Sequence, residues 1–246
     1  MDKILLQRYA SETRDYFGVD PNSPIDLLSL INADPKFTLV FYPFKEDISG
    51  VCIKSANLIA VNCLSTVGRQ RFSLAHELYH YFYDDKKTCV SYVDFAANND
   101  KVEKEANIFA SYLLMPDLSF SNIYKEVTDS GKNKIDIKGI LKIEQYFRVS
   151  RQSLLVRLIM EGYITEEESS IYKNNIIKMA REYGYDISLY SQCVNQEFKT
   201  YGAYLKKAIL LKEKNLISSG KYEEYLFDAN RSDIIFNENG EKEIYD

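Results

Sequence analysis

Only two histidines occur in this chain of 246 residues, and they stand four apart around a glutamate, in His76-Glu77-Leu78-Tyr79-His80. Positions i and i+4 of a helix project from one face, a turn apart. The surrounding stretch, Arg71 to Tyr83, has no Gly or Pro and is apolar around most of its circumference. Such a helix belongs in a core. Two imidazoles and a carboxylate are costly there unless something satisfies them, and a metal would. Imidazoles so placed can grip one zinc ion through Zn–N bonds of about 2.0–2.1 Å. Glu77 lies about 100° around the helix, within reach of a water that the metal would activate. The competing reading is a pair of partly buried, hydrogen-bonded histidines with no metal.

Catalytic zinc usually takes three protein ligands and keeps a fourth position for water. With no third histidine, the third ligand must be a carboxylate or a thiolate. The next strong helix is expected over Lys101–Met115, where Pro116 ends it. At 100° per residue, Glu103, Asn107, Ala110 and Leu114 form one stripe flanked by Ala106, and small residues there admit a close second helix. Glu105 points roughly 160° away from Glu103, on the side of Phe109 and Tyr112. Glu103 is therefore the expected ligand. The competing reading for both acids is a solvated helix start, favoured by the macrodipole. Asn107 is placed to accept the free N–H of a zinc histidine and so fix its tautomer. Asp84, one turn after His80, competes for that role. Cys89, between the two helices, is an alternative ligand. Cys52 and Cys63 read as packing residues. With Cys193 they show no CxxC spacing, so reduced thiols are expected.

The stretch Arg69-Gln-Arg-Phe-Ser-Leu-Ala-His-Glu-Leu-Tyr-His80, followed by Glu103-Lys-Glu-Ala-Asn-Ile-Phe-Ala-Ser-Tyr-Leu-Leu-Met-Pro116, closely resembles the ImmA/IrrE family of metallo-endopeptidases. The resemblance extends upstream through Ile48–Lys54 and Leu58–Asn62 and downstream through Tyr146–Leu154. It covers residues 5–165 well and the remainder weakly. It implies that His76, His80 and Glu103 hold one zinc per chain and that Glu77 is the catalytic glutamate. Two positions depart from many members, which carry Gly where Tyr79 stands and His where Asp84 stands. The resemblance also implies a selective regulatory protease that cuts a helix–turn–helix repressor, often in mobile elements or stress responses.

The fold class expected is α+β: a mainly helical, zincin-like peptidase core with a small antiparallel sheet. A helix–turn–helix-like segment and a helical C-terminal region follow. Residues 1–135 are assigned to the peptidase domain, 136–165 to a helical segment packed on it, and 166–246 to a helical appendage. Helices are expected over Lys3–Phe17, from Ser23 with Pro24 at its first position, and over Ile137–Phe147, Arg151–Met160, Glu166–Glu182, Phe198–Leu216 and Lys221–Ala229. Strands are expected over Phe37–Phe41, Ser49–Ser55 and Asn57–Asn62. Residues 84–100 read as an irregular connection and 237–246 as a frayed end.

Net charge is −5, which argues against a general nucleic-acid or anionic-membrane binder. Arg148, Arg151 and Arg157 allow DNA contact by the helix–turn–helix segment, but a pair packed on the core is favoured, since Leu154, Leu155, Leu158 and Ile159 need burial. No stretch approaches the ~18 apolar residues of a membrane span. The first residues lack a signal-peptide run, so a cytoplasmic protein is expected.

The mechanism expected is peptide hydrolysis, with Glu77 moving the proton from water to the leaving amine. No histidine is left to stabilise the carbonyl oxygen, and among 20 tyrosines Tyr83 is the nearest candidate. The substrate expected is a protein, in particular a helix–turn–helix repressor. The alternative is a non-catalytic zinc-containing regulator that acts by binding DNA or a partner protein.

Overall fold

The computed structural model describes residues 2–45, 47–92, 100–192 and 198–236. The chain opens with α1 (Lys3–Tyr16), whose first turn is capped by Asp2 accepting from the Leu5 N–H. Next comes α2 (Leu27–Ala33), capped by Asp26 rather than by Ser23. The expected start at Ser23 fails because Asp20 already takes the Ser23 N–H and hydroxyl, at 2.8 and 2.9 Å. Its carbonyl accepts from Arg14.

Strands β1 (Thr38–Tyr42), β2 (Ile48–Ile53) and β3 (Leu58–Asn62) follow. A 3₁₀ turn over Lys54–Ala56 joins the last two and ends on Asn57 at φ 48°. After α3 (Val67–Tyr83), the connection expected to be irregular holds a strand, β4 (Thr88–Tyr92). Then come α4 (Lys101–Leu114), α5 (Asp117–Val127), α6 (Ile137–Phe147) and α7 (Arg151–Met160). The expected helix over Glu166–Glu182 is broken into α8 (Glu166–Ser170) and α9 (Ile176–Glu182), with Asn175 left-handed at the second start. The helix expected from Phe198 begins as a strand, β5 (Lys199–Gly202), before α10 (Ala203–Glu213). The chain continues through α11 (Ser219–Asp228) and α12 (Ser232–Phe236). Residues 237–246, expected to fray, lie outside the described residues.

The sheet has the order β4-β2-β3-β1-β5 and is mixed rather than purely antiparallel. β2 pairs antiparallel with β3 and β4, and β1 with β5, but β1 and β3 run parallel. The reason is topological. β2 skips one position beside β1, and β3 returns into that gap in the direction of β1. Period-2 alternation splits the sheet into two faces. Leu39, Phe41, Ile59, Val61, Cys52 and Cys89 point inward and are buried. The other face carries Val40, Tyr42, Val51 and Ile53, which are only partly covered or exposed.

The buried face packs on α3, and α3 on α4, with α1 against α4. Arg14 of α1 is 2% exposed and ties these layers together. Its guanidinium donates to the Leu113 carbonyl at 2.7 and 3.0 Å and to the Asp20 and Ser23 carbonyls at 2.8 Å. Burial lowers its pKa to about 10, and the four donated bonds compensate the lost water.

The core cluster runs without a break from Leu6 to Ile164 and includes Ile140, Phe147, Leu154 and Leu158 of α6 and α7. Ser150 caps α7 by accepting from the Ser153 N–H at 3.2 Å. At Gly68, where α3 begins, a Cβ would lie 2.8 Å from the Ser150 nitrogen, so only glycine lets the two helix starts meet. Arg151 is buried and ion-paired with Glu144. Arg157 is buried, lies 4.0 Å over the Tyr112 ring and pairs with Asp117 and Glu161. Of the three arginines considered for DNA, only Arg148 is exposed.

Candidate metal centre

The two histidines and Glu103 meet where α3 faces α4. His76 Nε2 lies 3.2 Å from Glu103 Oε2, His80 Nε2 lies 3.3 Å from Glu103 Oε1, and the two Nε2 atoms are 3.1 Å apart. Behind the rings, His76 Nδ1 is 2.8 Å from Asn107 Oδ1 and His80 Nδ1 is 2.8 Å from Asp84 Oδ2. Both partners are oxygen acceptors, so each Nδ1 carries the hydrogen and donates. Both Nε2 atoms then present bare lone pairs to each other and to a carboxylate.

Three acceptors converging with no donor repel, and a cation between them removes the repulsion. The spacing fits as well. Ligands about 2.0–2.1 Å from a tetrahedral zinc lie about 3.3 Å from one another. On the chemistry of the donor set, the residues present fit a divalent metal.

Each flank has a cause. Burial works to raise the Asp84 carboxyl, but bonds from the Lys86 N–H, His80 and Cys89 hold it below its ordinary value. Cys89 Sγ sits 3.2 Å from Asp84 Oδ2, at the Nδ1 side of His80. It therefore stands away from the Nε2 atoms that face Glu103. Burial pushes both Cys89 and Cys52 thiols up to about 12. Glu105 turns away, as its position on the helix predicts, and accepts from the Tyr79 hydroxyl at 3.1 Å.

Glu77 is fully buried, and neither carboxylate oxygen has a hydrogen-bond partner among the described residues. Burial pushes its carboxyl up to about 7, with the nearby Ser91 hydroxyl pulling the other way. Its neighbour on the sheet is Gly50 of β2, where a Cβ would fall 2.6 Å from Glu77 Oε1. Sequence reading missed Gly50 and Ser91. Their contact with α3 depends on sheet register, which no local pattern reports.

Tyr83 does not join the site. Its hydroxyl donates to the Tyr9 carbonyl at 2.8 Å and lies 3.0 Å from the Thr13 hydroxyl. Its ring stacks on Tyr9 at 4.0 Å. α1 packs on this side of α3 and claims the phenol, which corrects its expected role at the carbonyl oxygen.

A family profile described as IrrE N-terminal-like domain, Peptidase_M78, matches residues 37–159, half of the chain. The chain belongs to this peptidase family. No curated protein matches. One similar solved structure is a Mycobacterium tuberculosis transcriptional regulator, 17% identical, with a TM-score of 0.43. The match covers 63% of this chain and 46% of that one, so the chain spans less than half of the regulator's length. No helix among the described residues is long and apolar enough to cross a membrane.

Proposed function

We propose that the protein is a zinc-dependent endopeptidase in which His76, His80 and Glu103 hold the metal and Glu77 is the general base. The observation that carries this reading is the convergence of two Nε2 lone pairs and the Glu103 carboxylate within 3.1–3.3 Å, beside a buried carboxylate whose oxygens have no partner among the described residues. When bound, zinc would acidify a water and polarise the scissile carbonyl. Glu77 would take a proton from the attacking water and pass it to the leaving amine. Gly50 leaves room for the Glu77 carboxylate. Asn107 and Asp84 keep both imidazoles in the tautomer that offers Nε2.

β4 is the end strand on the side of the centre, with Cys89 touching Asp84. An extended substrate segment is expected to add by main-chain pairing to its outer edge, which pairs with no strand among the described residues. The substrate proposed is a helix–turn–helix repressor. That choice rests on the family resemblance, and a cleavage-relieved regulatory role follows from it. DNA contact by α7 finds no support, because Arg151 and Arg157 are engaged inside the protein.

Incubating the zinc-loaded chain with a mixed-sequence peptide library, read by mass spectrometry, tests the reading. Wild type is expected to give discrete cleavage products, and Glu77→Gln none while keeping its zinc. Equal cleavage by the variant would sink the assignment of Glu77.

A further inference from the structure

The sheet face turned away from α3 holds a second candidate site. Val51, Ala60, Val40 and Thr200 are register partners in a row across β2, β3, β1 and β5. All four line a cavity of about 450 Å³, closed on one side by Tyr204, Asp228 and Ala229. Small-molecule sites commonly enclose about 300–1,000 Å³. The floor is mostly aliphatic and suits an apolar body.

One wall is aromatic. The Tyr42 ring lies 4.9 Å from Phe44 and 4.9 Å from Phe198, with planes at 53° and 78°. All three rings line the cavity, and aromatic faces attract cations. The one charged residue in the lining is Asp228. No lysine or arginine among the described residues forms an ion pair with it, and the nearby Lys221 ammonium is taken by Glu224 at 2.5 Å. Burial, and then the Asp228 charge, raise the pKa of the Tyr204 hydroxyl.

We propose that this cavity binds a small organic cation with an apolar or aromatic body. The body lies on Val40, Val51 and Ala60, and the charge faces the aromatic wall and Asp228. The site is on the opposite face of the sheet from Glu77 and does not depend on the peptidase reading.

Calorimetric titration of the full chain with benzyltrimethylammonium, benzyl alcohol and benzoate tests it. The cation is expected to saturate one site, the alcohol to bind more weakly and benzoate not to bind. Asp228→Asn, an isosteric change at an exposed position, is expected to weaken the cation by about threefold to tenfold and leave the alcohol unchanged. Tyr42→Ala should weaken both, with the fold checked by circular dichroism. No saturable binding of the cation, equal binding of benzoate, or a cation affinity unmoved by Asp228→Asn overturns the proposal. Sedimentation identifies the case in which a second copy of the chain covers this face and blocks the cation, and that result overturns it too.

Discussion

Two imidazole lone pairs and a carboxylate face one another across 3.1–3.3 Å because of what stands behind them. Asn107 and Asp84 hold the ring hydrogens on Nδ1, and Lys86 and Cys89 hold Asp84 in turn. Gly50 has the matching role for Glu77. Gly50→Ala places a methyl carbon 2.6 Å from Glu77 Oε1 and 3.1 Å from the Ala60 carbonyl oxygen, and the carboxylate must shift. Peptide cleavage is expected to fall by on the order of 10²-fold with zinc content unchanged. Elemental analysis beside a cleavage assay separates the two, and unchanged turnover would remove Gly50 from the mechanism. That Glu103 faces the two histidines is legible in the sequence because a single helix fixes its angle to Asn107 and Glu105. The Glu77–Gly50 contact is not, because it depends on how β2 lies across α3. Tyr83 misled for the same reason: its helix position is near His80, but α1 decides where its hydroxyl goes.

Local signals placed α6 and α7 to the residue, since Asp136 and Ser150 accept helix N–H groups and Arg148 ends α6 left-handed at φ 54°. Ser150 also sits against Gly68 at the start of α3. Ser150→Ala is expected to cost about 0.5–2 kcal/mol, visible as a lower urea midpoint with an unchanged slope. An unchanged midpoint would mean that the cap contributes nothing. Strands were harder. β4 alternates, but its inward residues are Cys89 and Ser91 while Val90 and Tyr92 are exposed. Its pattern is thus inverted relative to an ordinary half-buried strand, because the inward face abuts the metal helix. β5 is only four residues long, and nothing within Lys199–Gly202 reports that β1 is waiting for a partner.

Across the whole molecule, the α+β character and the mainly helical content follow from periodicity and caps. The connectivity of the sheet does not, because pairing partners are far apart in sequence. β5 joins residues 199–202 to β1 at residues 38–41, so the C-terminal region completes the sheet instead of hanging from it. A chain stopped at Gln192 would leave the β1 edge unpaired and uncover the outer sheet face. It is expected to melt at least about 5 °C lower, since each kcal/mol is worth about 2–4 °C at this size, and to aggregate through the open edge. Differential scanning calorimetry of the two lengths checks this. An equal melting temperature would show that β5 adds no stability.

The peptidase reading depends on three side chains on two helices holding one metal. Elemental analysis of purified wild type, His80→Ala and Glu103→Ala tests this. About one zinc per wild-type chain is expected, with the metal lost in both variants while circular dichroism stays that of a folded protein. Wild type without stoichiometric metal, or full retention after Glu103→Ala, would contradict it.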